Sequence, residues 1–347
     1  MDPPLFAAAF DPTALWPDYR PTDLIELPRL AGRAGVGRVF VKLENQRPLG
    51  NFKSLGGYCA GIRALARHVR AGSLGQLRQR ALPPLLCASE GNHGLAVAAA
   101  ARFAGTKAYV YLPDEVPAQR AERIARMGSE VVRVAGTYDD AVELAREAET
   151  AGVGLLIPDT SDDPHHPVVA DVMDGYALIA QELATQFASG FNDRPSHALV
   201  QAGVGGLAAA MARGLAGQWQ GPGRLLTVEP ADAASVARAL EHGRPRLVEG
   251  DLATAATMLA CGIASASAVT TLLRHGAQGL TVSESQLEDA VAVLQDTGGP
   301  ASTASGAAGV AGLLRLAGDP ALRAAHALDA DSRVLLLVTE GAQDSWS

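Results

Sequence analysis

Along most of this chain, short apolar runs alternate with stretches whose apolar residues recur at helical spacing. The runs at 38–43, 85–88, 108–112, 130–134, 155–157, 197–202, 225–228, 279–282 and 333–338 read as buried strands. Between them, Leu55, Tyr58, Cys59, Ile62, Leu65 and Ala66 mark one face of a helix, and 95–103, 117–127, 138–151, 168–187, 284–294 and 307–316 read as further helices. Residues 1–37 read as an irregular arm, and 231–276 as a less regular region. Regular β–α alternation is the signature of a parallel sheet. The expectation is an α/β chain of two open, twisted, mostly parallel-sheet domains with helices on both faces. Ligands then sit at the carboxyl ends of the strands.

Composition narrows the setting. The 347 residues are 48% apolar, ample for two cores, and carry a net charge of −8 from 29 basic and 37 acidic residues. No Lys/Arg run points to nucleic acid or to a polybasic membrane surface. No apolar run is long enough to span a bilayer, and Met1-Asp2-Pro3-Pro4 has no basic leader segment. Cys59, Cys87 and Cys261 lie far apart among apolar neighbours and read as buried free thiols. The adjacent His165 and His166 point their side chains apart, so no metal site is expected. A cytoplasmic protein is expected.

Several strand-to-helix loops carry chemistry. Lys53 stands at the mouth of the helix that begins near Leu55, where the helix dipole disfavours a cation. Ser89-Glu90-Gly91-Asn92-His93-Gly94 offers backbone donors, a hydroxyl, an amide and an imidazole at one helix N-terminus, which suits a carboxylate. Glu90 is out of place there unless it carries a proton or does acid–base work. Gly203-Val204-Gly205-Gly206-Leu207-Ala208 suits a phosphate. It also fits a dinucleotide fingerprint, with Glu229 lying 21 residues beyond Ala208 as the ribose acid. On this loop alone a nicotinamide oxidoreductase competes. Asp159-Thr160 and Thr339-Glu340-Gly341 also fall at strand ends.

Taken in order, these loops resemble the fold-type II pyridoxal-phosphate (PLP) enzymes, the tryptophan-synthase-β-like family, over roughly residues 25–345. Asn51-Phe52-Lys53-Ser54 looks like the motif of the cofactor-carrying lysine. Ser89 to Gly94 looks like the substrate-carboxylate loop, with Ser89, Gly91, Asn92 and His93 as its donors, and Gly203 to Leu207 like the phosphate loop. Thr339 falls where the family faces the pyridine nitrogen with a Ser or Thr. The resemblance implies a cofactor bound in the cleft between a smaller domain, 40–165, and a larger one built from 1–39 and 166–347. Within the family the motifs are most similar to the diaminopropionate ammonia-lyases, which carry an Asp where Glu90 stands and a second acid matching Asp159. This chain is shorter than typical members and lacks some of their loops.

The implied activity is α,β-elimination on a small amino acid, 2,3-diaminopropionate above all, to a 2-oxo acid and ammonia. The alternative is a serine/threonine dehydratase or another β-eliminating or β-replacing enzyme. Lys53, Glu90 and Asp159 are the expected catalytic residues. Lys53, Asn92, Gly203, Val204, Gly205, Gly206, Leu207 and Thr339 are expected to hold the cofactor. No metal, nucleic acid or membrane is expected as a partner; family members are commonly homodimers. A non-catalytic sensing relative would be expected to have lost the lysine, which is present.

Overall fold

The computed structural model describes residues 19–89, 91–191 and 193–342. Ten strands follow in chain order: β1 (Leu24–Glu26), β2 (Arg38–Leu43), β3 (Leu85–Ala88), β4 (Ala108–Pro113), β5 (Glu130–Val134), β6 (Leu155–Leu156), β7 (His197–Gln201), β8 (Arg224–Pro230), β9 (Gln278–Val282) and β10 (Arg333–Val338). They form two open sheets, and the chain divides into two compact units that each hold one.

The first unit comprises 53–161 and 165–178 and holds four parallel strands in the order β5-β4-β3-β6. All four residues of β3 are buried, which explains its unbroken apolar run. Helices Lys53–Val69 and Asn92–Ala104 pack against each other. Helix Tyr138–Thr150 starts at a capping box, in which Thr137 Oγ1 accepts from the Asp140 N–H and the Asp140 carboxylate accepts from the Thr137 N–H.

The second unit comprises 21–52, 162–164 and the chain from Ile179 onward. Its sheet runs β1-β2-β10-β7-β8-β9, with β1 antiparallel to β2 and the other pairs parallel. The central strands β7 and β10 are almost wholly buried, and helix Ala304–Gly318 lays its small-residue face on them. The division expected from the resemblance put 40–43 with the smaller domain. The hydrogen-bond partners of β2 are β1 and β10, so it belongs to the six-stranded sheet.

Two stretches are more regular than their sequence suggests. The arm at 1–37 contains β1 and helix Pro28–Ala34, which has Pro at its first turn and the left-handed Gly35 at its end. The region 231–276 contains helices Ser235–His242 and Ala266–Arg274. Among the described residues no helix is long and apolar enough to cross a membrane.

A fully buried ionic cluster anchors the second unit. Lys42 Nζ lies 2.6 Å from Glu182 Oε2 and donates to the Thr22 carbonyl at 2.7 Å. Arg47 donates twice to Glu44, at 2.8 and 2.7 Å, and twice to Glu182, at 2.8 and 2.9 Å. Thr22 Oγ1 donates to Glu44 Oε1 at 2.7 Å. Two cations and two carboxylates balance, so each charge has the partners burial requires. The cluster fixes the segment after β2 that leads to Phe52. Replacing Arg47 by Met leaves Glu44 and Glu182 buried and facing each other without their shared cation. A loss of about 3–5 kcal/mol is expected, read as a lower denaturant midpoint; an unchanged midpoint would contradict it.

Candidate active site

In the first unit the structure gathers Lys53, Asp159 and His93. Lys53 is the first residue of helix Lys53–Val69. Its Nζ is hydrogen-bonded and ion-paired to Asp159 Oδ2, so an opposite charge offsets the helix end that repels it. Burial alone pushes the Asp159 carboxyl up. The Lys53 ammonium, His93 and the hydrogen bond from Lys53 outweigh it and bring Asp159 down to about 2.

His93 Nε2 lies 2.7 Å from the Ile157 carbonyl. A carbonyl can only accept, so Nε2 carries the hydrogen and Nδ1 a lone pair. Burial holds the imidazole below its ordinary value and hence neutral. Nδ1 is buried and has no hydrogen-bond partner among the described residues.

Asn92 opens helix Asn92–Ala104, which has no side-chain cap among the described residues. Ser89 Oγ accepts from the Gly91 N–H at 2.9 Å and the Gly94 N–H at 2.8 Å. The Gly91 N–H is therefore already used, and Gly91 shapes the loop. Ser89 Oγ keeps its own hydrogen to donate, and the helix start places partial positive charge toward an anion. Glu90 lies outside the described residues. One neighbour had no motif to announce it. Buried Tyr176, from helix Pro167–Gln186, interacts electrostatically with Lys53 and Asp159; burial raises its phenol.

In the second unit the glycine loop opens helix Gly206–Gly214, capped by Gly205 and by no side chain. Gly205 has a φ of 93°, a left-handed conformation that glycine adopts without penalty. The loop's carbonyls are held by other groups. Gly203 O accepts from Ser235 Oγ at 3.1 Å, and Val204 O from Ser265 N at 2.9 Å. A Cβ on Gly203 would lie 2.9 Å from Cys261 Sγ, which is too close. The loop therefore presents N–H groups to an anion and fits a phosphate.

Thr339 is buried in the same unit, and its Oγ1 lies 3.0 Å from Gln201 Nε2. The Thr339 carbonyl accepts from the Phe52 N–H at 3.1 Å, and Asn51 bridges to Glu340, so the chain just before Lys53 is stitched to the Thr339 segment. Glu229 is not a ribose acid. Its two oxygens accept the Val236 and Ala237 N–H groups, each at 2.7 Å, at the start of helix Ser235–His242. Burial raises it to about 8 against these two bonds. None of the three cysteines forms a disulfide among the described residues; Cys261 is half-buried where Cys59 and Cys87 are buried. Among the described residues no group of three His, Cys, Asp or Glu could hold a metal ion.

A family model described as "Pyridoxal-phosphate dependent enzyme" matches residues 15–340. The chain belongs to this family. Diaminopropionate ammonia-lyase from Salmonella typhimurium is 35% identical over 71% of this chain, and that match spans 64% of the relative's length. The protein of the same name from Escherichia coli is 31% identical over 94% of this chain and 85% of its own. Crystal structures of the Escherichia coli enzyme, one holo and one in complex with D-serine, share the fold with TM-scores of 0.83. They are 29% identical and cover 94% of this chain and 86% of theirs. The glycine loop's open helix N-terminus suits the phosphate of pyridoxal phosphate, and Thr339 offers a hydroxyl of the kind that can face a ring nitrogen.

The Asp159 pair has a pH signature. A carboxyl held below its ordinary value adds stability above that value and loses it as the pH falls. Asp159→Asn should therefore lower the thermal midpoint of the cofactor-free protein near neutral pH. The gap to wild type should close as the pH falls from about 4 to about 2. A gap that stays constant across that range would contradict the pair.

Proposed function

We propose that this protein is an ammonia-lyase that acts on 2,3-diaminopropionate and releases pyruvate and ammonia. The observation that carries the reading is Asp159, a carboxylate held ionised against Lys53 inside the first unit. A dehydratase acting on a hydroxy amino acid has no cationic β-substituent to recognise; a lyase for a diamino acid does. The relatives' names and the small amino acid, D-serine, held by one solved neighbour support it.

Bound pyridoxal phosphate supplies the electron sink for charge developing at the substrate Cα. The chain's own residues do the rest. Lys53 would carry the cofactor, and its amine would take the Cα proton. Gly203, Val204, Gly205, Gly206 and Leu207 would hold the phosphate, and Asn92 the ring's phenolic oxygen. The substrate carboxylate would be bound by the Ser89 hydroxyl and the N–H groups of Asn92 and His93. Glu90 would recognise a β-ammonium group, protonate a leaving group that departs without its own proton, or take the Cα proton of the opposite enantiomer. Asp159 is the second acid of the site. Thr339 is neutral and would leave the ring nitrogen short of full protonation. That tempers the sink and favours loss of the β-substituent over transamination.

The experiment is an absorbance spectrum of the purified protein, then an amino-acid screen scored by 2-oxo acid and ammonia. Lys53→Ala should abolish the visible band and the activity. Glu90→Gln should cost about 10²–10⁴-fold on diaminopropionate and far less on serine. Equal loss on both substrates would make Glu90 merely structural, and serine as the better substrate would favour the dehydratase.

A further inference from the structure

We infer that Gln201 sets the direction of the Thr339 hydroxyl, and through it the hydrogen bond offered to the cofactor's ring nitrogen. The inference rests on the reading of Thr339 as that nitrogen's partner.

Gln201 is buried at the end of β7. Its Nε2 lies within reach of four oxygens: Ser305 O at 3.3 Å, Gly306 O at 2.9 Å, Leu337 O at 3.0 Å and Thr339 Oγ1 at 3.0 Å. Three of these are main-chain carbonyls, which can only accept. Turning the amide over would set Oε1 against all three, so the nitrogen must face them. An amide nitrogen has hydrogens to give and no lone pair to offer. Its contact with Thr339 is therefore donated by Gln201. Thr339 Oγ1 accepts, and its own hydrogen is turned away from Gln201.

The arrangement has a cost that points to a purpose. Among the described residues Gln201 Oε1 is left buried without a hydrogen-bond partner, turned toward helix Ala304–Gly318, where a Cβ on Gly309 would lie 3.4 Å from it. A hydroxyl that accepts from Gln201 keeps its own hydrogen to give to a group on another side. A donor suits an unprotonated ring nitrogen, the state that favours elimination in the reading above. Gln201 is thus a positioning residue that acts through Thr339.

Gln201→Met keeps the length of the side chain and removes the donor. With no donor facing it from Gln201, the Thr339 hydroxyl is free to turn its hydrogen inward. Pyridoxal phosphate affinity, titrated into the cofactor-free protein, should fall about 2–10-fold, the worth of one neutral hydrogen bond. Thr339→Val should lose as much, Thr339→Ser should retain the affinity, and the Gln201→Met/Thr339→Val double variant should lose no more than Thr339→Val alone. If Thr339→Val weakens binding but Gln201→Met does not, or if the two losses add, the role of Gln201 is overturned. If Thr339→Val changes nothing, the reading of Thr339 falls and takes the inference with it. Should Gln201→Met fail to fold, the ¹⁵N shift of the ring nitrogen in the wild-type holoenzyme decides. A hydrogen-bonded, unprotonated nitrogen is expected; a protonated one overturns the inference.

Discussion

A cation at the start of a helix is on the wrong side of the backbone field, and in this protein it is held there by a buried carboxylate. The Lys53–Asp159 pair is the constraint around which the first unit's site is organised. Asp159 stays ionised in a buried setting because Lys53 stabilises its charge, and Lys53 tolerates its position because Asp159 faces it. His93 contributes as a neutral ring, its hydrogen committed to the Ile157 carbonyl. The second unit supplies anchorage of a different kind. The buried cluster of Lys42, Glu44, Arg47 and Glu182 fixes the segment leading to Phe52, and the Thr339 strand end is hydrogen-bonded to Phe52 itself.

The two clusters share one principle, which is that each functional group has its freedom removed by groups that do no chemistry. Ser89 ties its own loop with two accepted N–H bonds. Ser235 and Ser265 hold the carbonyls of the glycine loop and so leave its N–H groups for an anion. Gln201 does the same for a single hydroxyl. This preorganisation fits an enzyme whose cofactor does the hard chemistry and whose protein decides which bond breaks.

Much of the fold was legible because parallel strands buried on both faces announce themselves as unbroken apolar runs, as at 85–88 and 333–338. The antiparallel β1 was not legible, because its three residues are all half-buried and show no period. Helix Pro28–Ala34 was hidden by its brevity, and β2 was assigned to the wrong sheet because sequence order does not say which strand pairs with which. The lysine, carboxylate and glycine loops were visible as motifs since each sits at a strand end. Glu229 shows the limit of that reasoning. It matches a fingerprint in spacing, yet both oxygens of its carboxyl are taken up by a helix N-terminus that the sequence did not reveal. Gln201 and Tyr176 are single residues on a strand and a helix, and only tertiary packing gives them neighbours that matter.

Lys53 is the residue proposed to carry the cofactor. Borohydride trapping of pyridoxal phosphate on the purified holoenzyme, followed by mass mapping of the peptides, tests it most directly. A single modified lysine, Lys53, is expected, in the peptide that contains Asn51-Phe52-Lys53-Ser54. Stoichiometric label on any other lysine, or none at all, would contradict it.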